Sequence, residues 1–251
     1  MKRRLSFLLL AAPLCAALAQ TAPSVDDLVA KHIAAVGGAD KLKAIKTAKI
    51  TATTSMGGME LTTTVYVKRP ALARSETSVQ GNNIVQVFDG KQSWSINPFM
   101  GSEPSYASED ESNQAREEAE SQIDGHLVDY KAKGSTIELQ GKEDVEGSPA
   151  YKLKITTKSG NVIYDYLDAE TYLETKRVAT IKRMGQQVEA TTLFTNFKPV
   201  AGVLMPHQMD QSANTPQGAV NIKTTMQKIE VNVPIDDAIF QMPAKPDAKK
   251  Q

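Results

Sequence analysis

From Ser24 onward, apolar residues recur three and four positions apart. Val25, Leu28, Val29, Ile33 and Val36 share one helical face with His32. Ser24, with Asp27 three residues later, has the form of an N-cap, and Gly37-Gly38 closes the helix. Asp40 to Ile45 predicts one more turn, burying Leu42 and Ile45. From Lys46 the period changes to two. Runs of β-branched residues alternate with polar ones and are cut by turn signals at Gly57-Gly58, Arg69-Pro70, Gly81-Asn82-Asn83, Asp89-Gly90, Ser159-Gly160-Asn161, Asp168-Ala169-Glu170 and Met184-Gly185. Short strands joined by tight turns make an antiparallel meander. About 10–11 strands are expected between Lys46 and Val231, in one curled sheet rather than two domains.

One hairpin allows the facing to be worked out. A two-residue loop at Asp89-Gly90 pairs Phe88 with Lys91 and sets Val87 opposite Gln92, Val85 opposite Trp94 and Asn83 opposite Ile96. Val85, Val87, Trp94 and Ile96 then share one face. That face suits ordinary core and the wall of a cavity equally.

The alternation breaks between Pro98 and Gly134. Ser108 with Glu111 predicts a capped helix running to about Gln122, and Ile123 to Tyr130 a second, shorter one. Nine acids and one base, Arg116, fall between Glu103 and Asp129, so the first helix has little apolar face. The segment reads either as a solvated surface insertion or as a lid. The apolar underside of a lid would be Phe99, Met100, Tyr106, Ile123, Leu127 and Val128. Near the end, Asn232 to Phe240 predicts a capped turn that tucks Ile239 and Phe240 against the sheet. Residues 244–251 read as a disordered Lys- and Pro-containing tail.

The first nineteen residues change the picture. Lys2, Arg3 and Arg4 precede a largely apolar stretch, and Ala17-Leu18-Ala19 precedes Gln20, the layout of a cleaved secretory signal. A lipoprotein signal ending at Cys15 is the rival reading, with Leu14 standing where a small residue belongs. Residues 1–19 are thus expected to be a signal peptide cleaved near Ala19/Gln20. The expected domain is 20–243, with its insertion at about 98–133, in a periplasmic setting. Cleavage removes Cys15, which leaves no thiol for disulfides, catalysis or metal binding. It also removes three of 29 basic residues and none of 29 acidic ones, leaving a net charge of about −3. That charge is no footprint for nucleic acid.

Catalytic constellations are not apparent. His32, His126 and His207 fall in no metal-ligand spacing, and no G-x-S-x-G elbow occurs. Glu109-Asp110-Glu111 lacks the alternation and glycine of a calcium loop. The expectation is a non-enzyme with no metal and no cofactor. There are nine methionines, eight of them beyond the initiator, which suit core gaps and adaptable acyl-binding pockets alike.

Two phrases in sequence, Val67-Lys68-Arg69-Pro70 and Asp89 to Phe99 (Asp-Gly-Lys-Gln-Ser-Trp-Ser-Ile-Asn-Pro-Phe), resemble the LolA/LolB-like periplasmic lipoprotein carriers. The closing Ile235-Asp236-Asp237-Ala238-Ile239-Phe240 is also similar to the ending of such domains. The resemblance implies an incomplete antiparallel β-barrel, mainly β with α, with an N-terminal helix and a helical lid insertion. The implied ligand is the acyl chains of a lipoprotein or another lipid, and the implied partners are inner- and outer-membrane envelope proteins around a monomer. By the same resemblance Arg69 closes the lid by donating to carbonyls of its helices. Trp94 belongs to the inner wall, with Val65, Val67, Val85, Val87, Ile96 and Phe99 as the other expected wall residues. Ala73 stands three residues after the proline, where the carriers often have an aromatic, and the acidic insertion is atypical. The match is therefore to a divergent member. An envelope sensor or interaction module binding a protein partner on the same scaffold is the alternative.

Overall fold

The computed structural model describes residues 22–183, 186–216 and 218–243. The expected signal peptide, Cys15, the Met184-Gly185 turn and the tail from Ala244 lie outside the described residues.

Two helices open the fold, α1 (Val25–Ala35) and α2 (Ala39–Ala44). The Ser24 hydroxyl accepts from the Asp27 amide, as its position predicts. A first run of six strands follows: β1 (Thr47–Met56), β2 (Met59–Lys68), β3 (Leu72–Val79), β4 (Asn82–Phe88), β5 (Ser93–Asn97) and β6 (Gly101–Tyr106). Helix α3 (Glu109–Ser121) interrupts the sheet. A second run comprises β7 (Thr136–Val145), β8 (Ser148–Thr156), β9 (Val162–Asp168), β10 (Glu174–Arg183), β11 (Gln186–Val200), β12 (Val203–Thr215) and β13 (Gly218–Val231). A 3-10 turn (Asp237–Phe240) closes the chain.

All thirteen strands belong to one antiparallel sheet, ordered β6-β5-β4-β3-β2-β1-β13-β12-β11-β10-β9-β8-β7. The two runs join where β13 returns to pair with β1, so β6 and β7 are left as free edges and the barrel stays open. The Met56–Met59 hairpin shows why the meander forms. Gly57 and Gly58 both take positive φ, the requirement of a tight two-residue turn whose twist matches the strands.

Three local expectations are corrected. The β4–β5 register slips by two: Val87 pairs with Trp94 and Val85 with Ile96. The loop is longer because the Asp89 carboxylate accepts from the amides of Lys91 and Gln92, both at 2.8 Å, and holds a four-residue turn. An even slip preserves the face of every side chain. Second, Gly101–Tyr106 is a strand, within a segment that carries no strand signature. It lies at the sheet edge, where Pro104 is tolerated. Third, Ile123 to Tyr130 forms successive turns instead of a helix.

Both faces of the sheet are covered. On the concave face, Leu28 and Val29 of α1 and Leu127 pack on Leu153, Ile155, Ile163 and Leu167. Val36, Leu42 and Ile45 meet Val128 and Val203. Gly37 permits this contact: a Cβ there would fall 2.3 Å from the Gly202 carbonyl oxygen of the β11–β12 turn. On the convex face, Phe240 (0 % exposed) seals Trp94 (1 % exposed), Val85 and Val87, with Ile235, Ile239 and Met242 around them. The Trp94 indole donates to the Phe240 carbonyl at 3.0 Å. Burying Phe240 alone is worth about 1.5–3 kcal/mol.

Candidate functional site

The helices do not fill the concave face. Between them and the sheet lies a cavity of about 640 Å³, within the size range of small-ligand sites. Its floor follows from register, because residues opposed across antiparallel strands point the same way. Phe194 on β11 opposes Met209 on β12, and Thr191 to Leu193 run alongside Ser212 to Asp210. Ile50 on β1 opposes Ile229 on β13. Phe194, Phe197, Met205, Met209, Met226 and Ile229 give the cavity an adaptable apolar floor.

Helix α3 roofs it. The Ser108–Glu111 capping box forms as predicted. Ala115 and Ala119 pack on Phe88 and Ala71 from the first strand run. Glu117 reaches across to the second run, accepting from the Ser159 amide and hydroxyl, each at 2.8 Å, in the β8–β9 turn. Gln114, Glu118 and Ser121 face the cavity from this helix. The acidic insertion is a lid bridging the two halves of the open sheet. Its expected underside divides: Leu127 and Val128 are buried, whereas Phe99 (52 % exposed), Met100 (87 %) and Tyr106 project from the β5–β6 edge.

Arg69 sits where the lid meets α2. Its Nε donates to the Ile45 carbonyl at 2.7 Å and its Nη2 to the Leu42 carbonyl at 3.1 Å. Its other contact is a two-pronged pair with Asp124: Nη1 to Oδ2 at 2.7 Å, and Nη2 to Oδ1. The Asp124 side chain is 5 % exposed, so one guanidinium couples α2, the Arg69-Pro70 turn and the segment after α3. The expectation that Arg69 donates to carbonyls of the lid is corrected: its carbonyl partners, Leu42 and Ile45, belong to α2 and its C-cap, and its partner on the lid side is the Asp124 carboxylate, one of many acids in the insertion.

The expected wall residues are not brought together. Val65 and Val67 oppose Ile50 and Ala48, and so share the concave face with two cavity residues. Val85, Val87, Trp94 and Ile96 lie on the opposite face beneath the C-terminal turn. Phe99 is at the exposed edge.

The sequence reading also missed a polar row beside the apolar floor. Asp165 on β9 opposes Arg177 on β10, Arg177 opposes Thr192 on β11, and Thr192 opposes Gln211 on β12. The fully buried Asp165 accepts from Arg177 Nε at 2.8 Å. Burial works to raise its pKa, but the Arg177 charge, His126 and the hydrogen bonds outweigh this and hold it below the ordinary range. Glu174 accepts from Arg177 Nη2 through Oε2 at 3.0 Å. Its Oε1 lies 2.8 Å from that nitrogen but finds no hydrogen-bond donor. Burial, assisted by the neighbouring Asp165 charge and a hydrogen bond to it, pushes Glu174 up to about 8 against the pull of Arg177, toward the protonated acid. Burial and the Arg177 charge bring His126 down to about 4, leaving a neutral ring. Burial likewise lowers His32, whose Nδ1 donates to the Tyr172 carbonyl at 2.9 Å. Glu118, on the lid, is raised by burial. The result is a buried polar patch whose full charges, Arg177 and Asp165, are paired with each other. Among the described residues no group of three His, Cys, Asp or Glu is placed to hold a metal ion, and no helix is long and apolar enough to cross a membrane.

No family model matches the sequence, and no curated protein matches it. Solved structures do match in fold. A LolA superfamily protein from Nitrosomonas europaea superposes with a TM-score of 0.56 at 14 % identity, covering 88 % of this chain and 98 % of its own. A domain described as outer membrane lipoprotein-sorting, from Vibrio parahaemolyticus, gives 0.57 at 12 % identity, covering 86 % and 97 %. A DUF1329 family protein from Desulfovibrio piger gives 0.56 at 16 % identity, covering 86 % and 97 %.

Proposed function

We propose that this chain, a divergent protein of LolA-like fold, is a soluble periplasmic carrier that buries acyl chains of a lipid or lipoprotein between its sheet and its helices. The observation that carries the reading is the roofed concave cavity of about 640 Å³, with Met205, Met209, Met226, Phe194 and Phe197 beneath it. Each methylene moved from water into such a floor contributes about 0.8 kcal/mol, and the flexible methionines accommodate chains of varied shape. The mechanism needs only binding and a gate. The Arg69–Asp124 pair, with the Leu42 and Ile45 carbonyls, holds the lid segment against α2. An entering chain displaces the lid, and reclosure excludes water. Envelope proteins at either membrane would supply and receive the cargo. The signal-like N-terminus supports the compartment.

The test is detergent-free purification of the exported protein from its own periplasm, then solvent extraction and mass spectrometry. The expected result is co-purified lipid approaching one per chain. An empty protein that also refuses a fluorescent fatty-acyl probe would overturn the carrier reading. The second reading, an envelope sensor or interaction module, is favoured by one feature: Phe99 and Met100 stand exposed at the tip of an edge hairpin. It predicts a stable envelope protein partner that is lost on Met100→Asp.

A further inference from the structure

The cavity holds more than an acyl chain requires. Its floor has two sectors: the apolar one on β11 to β13 and β1, and a polar row of Arg177, Thr192 and Gln211, backed by the fully buried Asp165. A pocket built only for hydrocarbon gains nothing from desolvating a guanidinium and two carboxyls. Not all of this hydrogen-bonding capacity is consumed internally. Arg177 spends Nε and Nη2 on Asp165 and Glu174. Among the described residues its Nη1 has no hydrogen-bond partner, nor has either ring nitrogen of His126. Both residues line the cavity, and Glu174 Oε1, also in the lining, finds no donor.

Resting on the carrier reading, we propose that Arg177, His126 and Glu174 form a headgroup subsite, and that the cargo is a single-chain amphiphile ending in a carboxyl group. The chain lies along Phe194, Met209 and Met226. The carboxyl oxygens accept from Arg177 Nη1 and from the His126 ring, beside Glu174, whose own proton is held toward the Asp165 carboxylate. Asp165 is a positioning residue: it fixes the plane of the guanidinium so that Nη1 is left for the ligand. Neutral Glu174 and His126 matter because two further charges here would have to be desolvated together.

The experiment is calorimetric titration of the full mature chain with dodecanoic acid and with its methyl ester, which keeps the chain but cannot present a carboxyl. The readout is the ratio of the two affinities within each variant. The wild-type ratio is expected to be ten- to a hundredfold in favour of the acid. In the double variant Arg177→Met/Asp165→Asn, which removes the ion pair without stranding a charge, the ratio should collapse to within about threefold. His126→Phe should reduce it several-fold, and it decides alone if the double variant does not fold. Equal wild-type affinities for acid and ester, or a ratio kept in both variants, would overturn the subsite and leave the carrier reading standing. Failure of both ligands to bind the wild type would bring down both.

Discussion

Two regions of the sheet, one near an edge and one at its middle, use the same sequence pattern for opposite purposes. At β4–β5, alternating Val85, Val87, Trp94 and Ile96 face the C-terminal turn, and Phe240 fills the space above them. At β10–β13, alternating Phe194, Met209, Thr192 and Met226 face helices that stand off, and the space above them stays open. Alternation supplies an apolar face in both places. What differs is the cover. A short C-terminal turn lies directly on the strands, whereas α3 is propped on two sides, by Phe88 and Ala71 on one and by Ser159 on the other. An apolar sheet face becomes core or cavity according to how its cover is supported.

Four changes break or sharpen that contrast. Trp94→Ala strikes the filled face and should cost about 3–5 kcal/mol in urea unfolding, while protein still folded keeps its acyl affinity; lost affinity at unchanged stability would place Trp94 in the binding wall after all. Arg69→Leu strikes the lid. Losing its charge-assisted bonds, about 1.5–3 kcal/mol each, should speed release of a fluorescent acyl ligand by about tenfold or more in stopped flow. Unaltered release would remove Arg69 from the gate. Thr192→Phe projects a ring into the open space and should weaken acyl binding by about tenfold, with Tm moving by only a few degrees.

The smallest effect concerns pH. Glu174 keeps its proton up to about 8 in the fold, against 4.5 ordinarily, so the folded state binds more protons between those values and stability falls as pH rises through them. His126 acts in the opposite sense, from about 4 in the fold to 6.5 ordinarily, with stability gained as pH rises. Glu118, raised by burial on the lid, acts in the same sense as Glu174, so the comparison of variant with wild type isolates the Glu174 share. Glu174→Gln should therefore flatten the decline of the urea midpoint between pH 6.5 and 8. Parallel profiles for variant and wild type would show that Glu174 is ionised throughout.

Much of the scaffold was legible. The capped α1, the Ser108–Glu111 capping box, the antiparallel meander and the tucked Phe240 all depend on residues within a few positions of one another or on simple alternation. The strand at Gly101–Tyr106 was not, because an edge strand can carry Gly and Pro and bury little. The β4–β5 register was misjudged because one carboxylate, that of Asp89, stretched the turn. Arg69 was found through a short motif, but its partner Asp124 lies 55 residues away, and no local pattern marks one acid in an acidic segment.

What the chain determined by itself is the set of faces: which residues of each strand point together, where helices start, and where turns must reverse. Those follow from backbone geometry over a few residues. What only the tertiary structure decided is which face is sealed and which is hollow, and that Asp165, Glu174 and Arg177 meet His126 under one lid. Burial and ion pairing depend on the cover that reaches a face from distant sequence. Local periodicity carries no information about the height of that cover above the sheet.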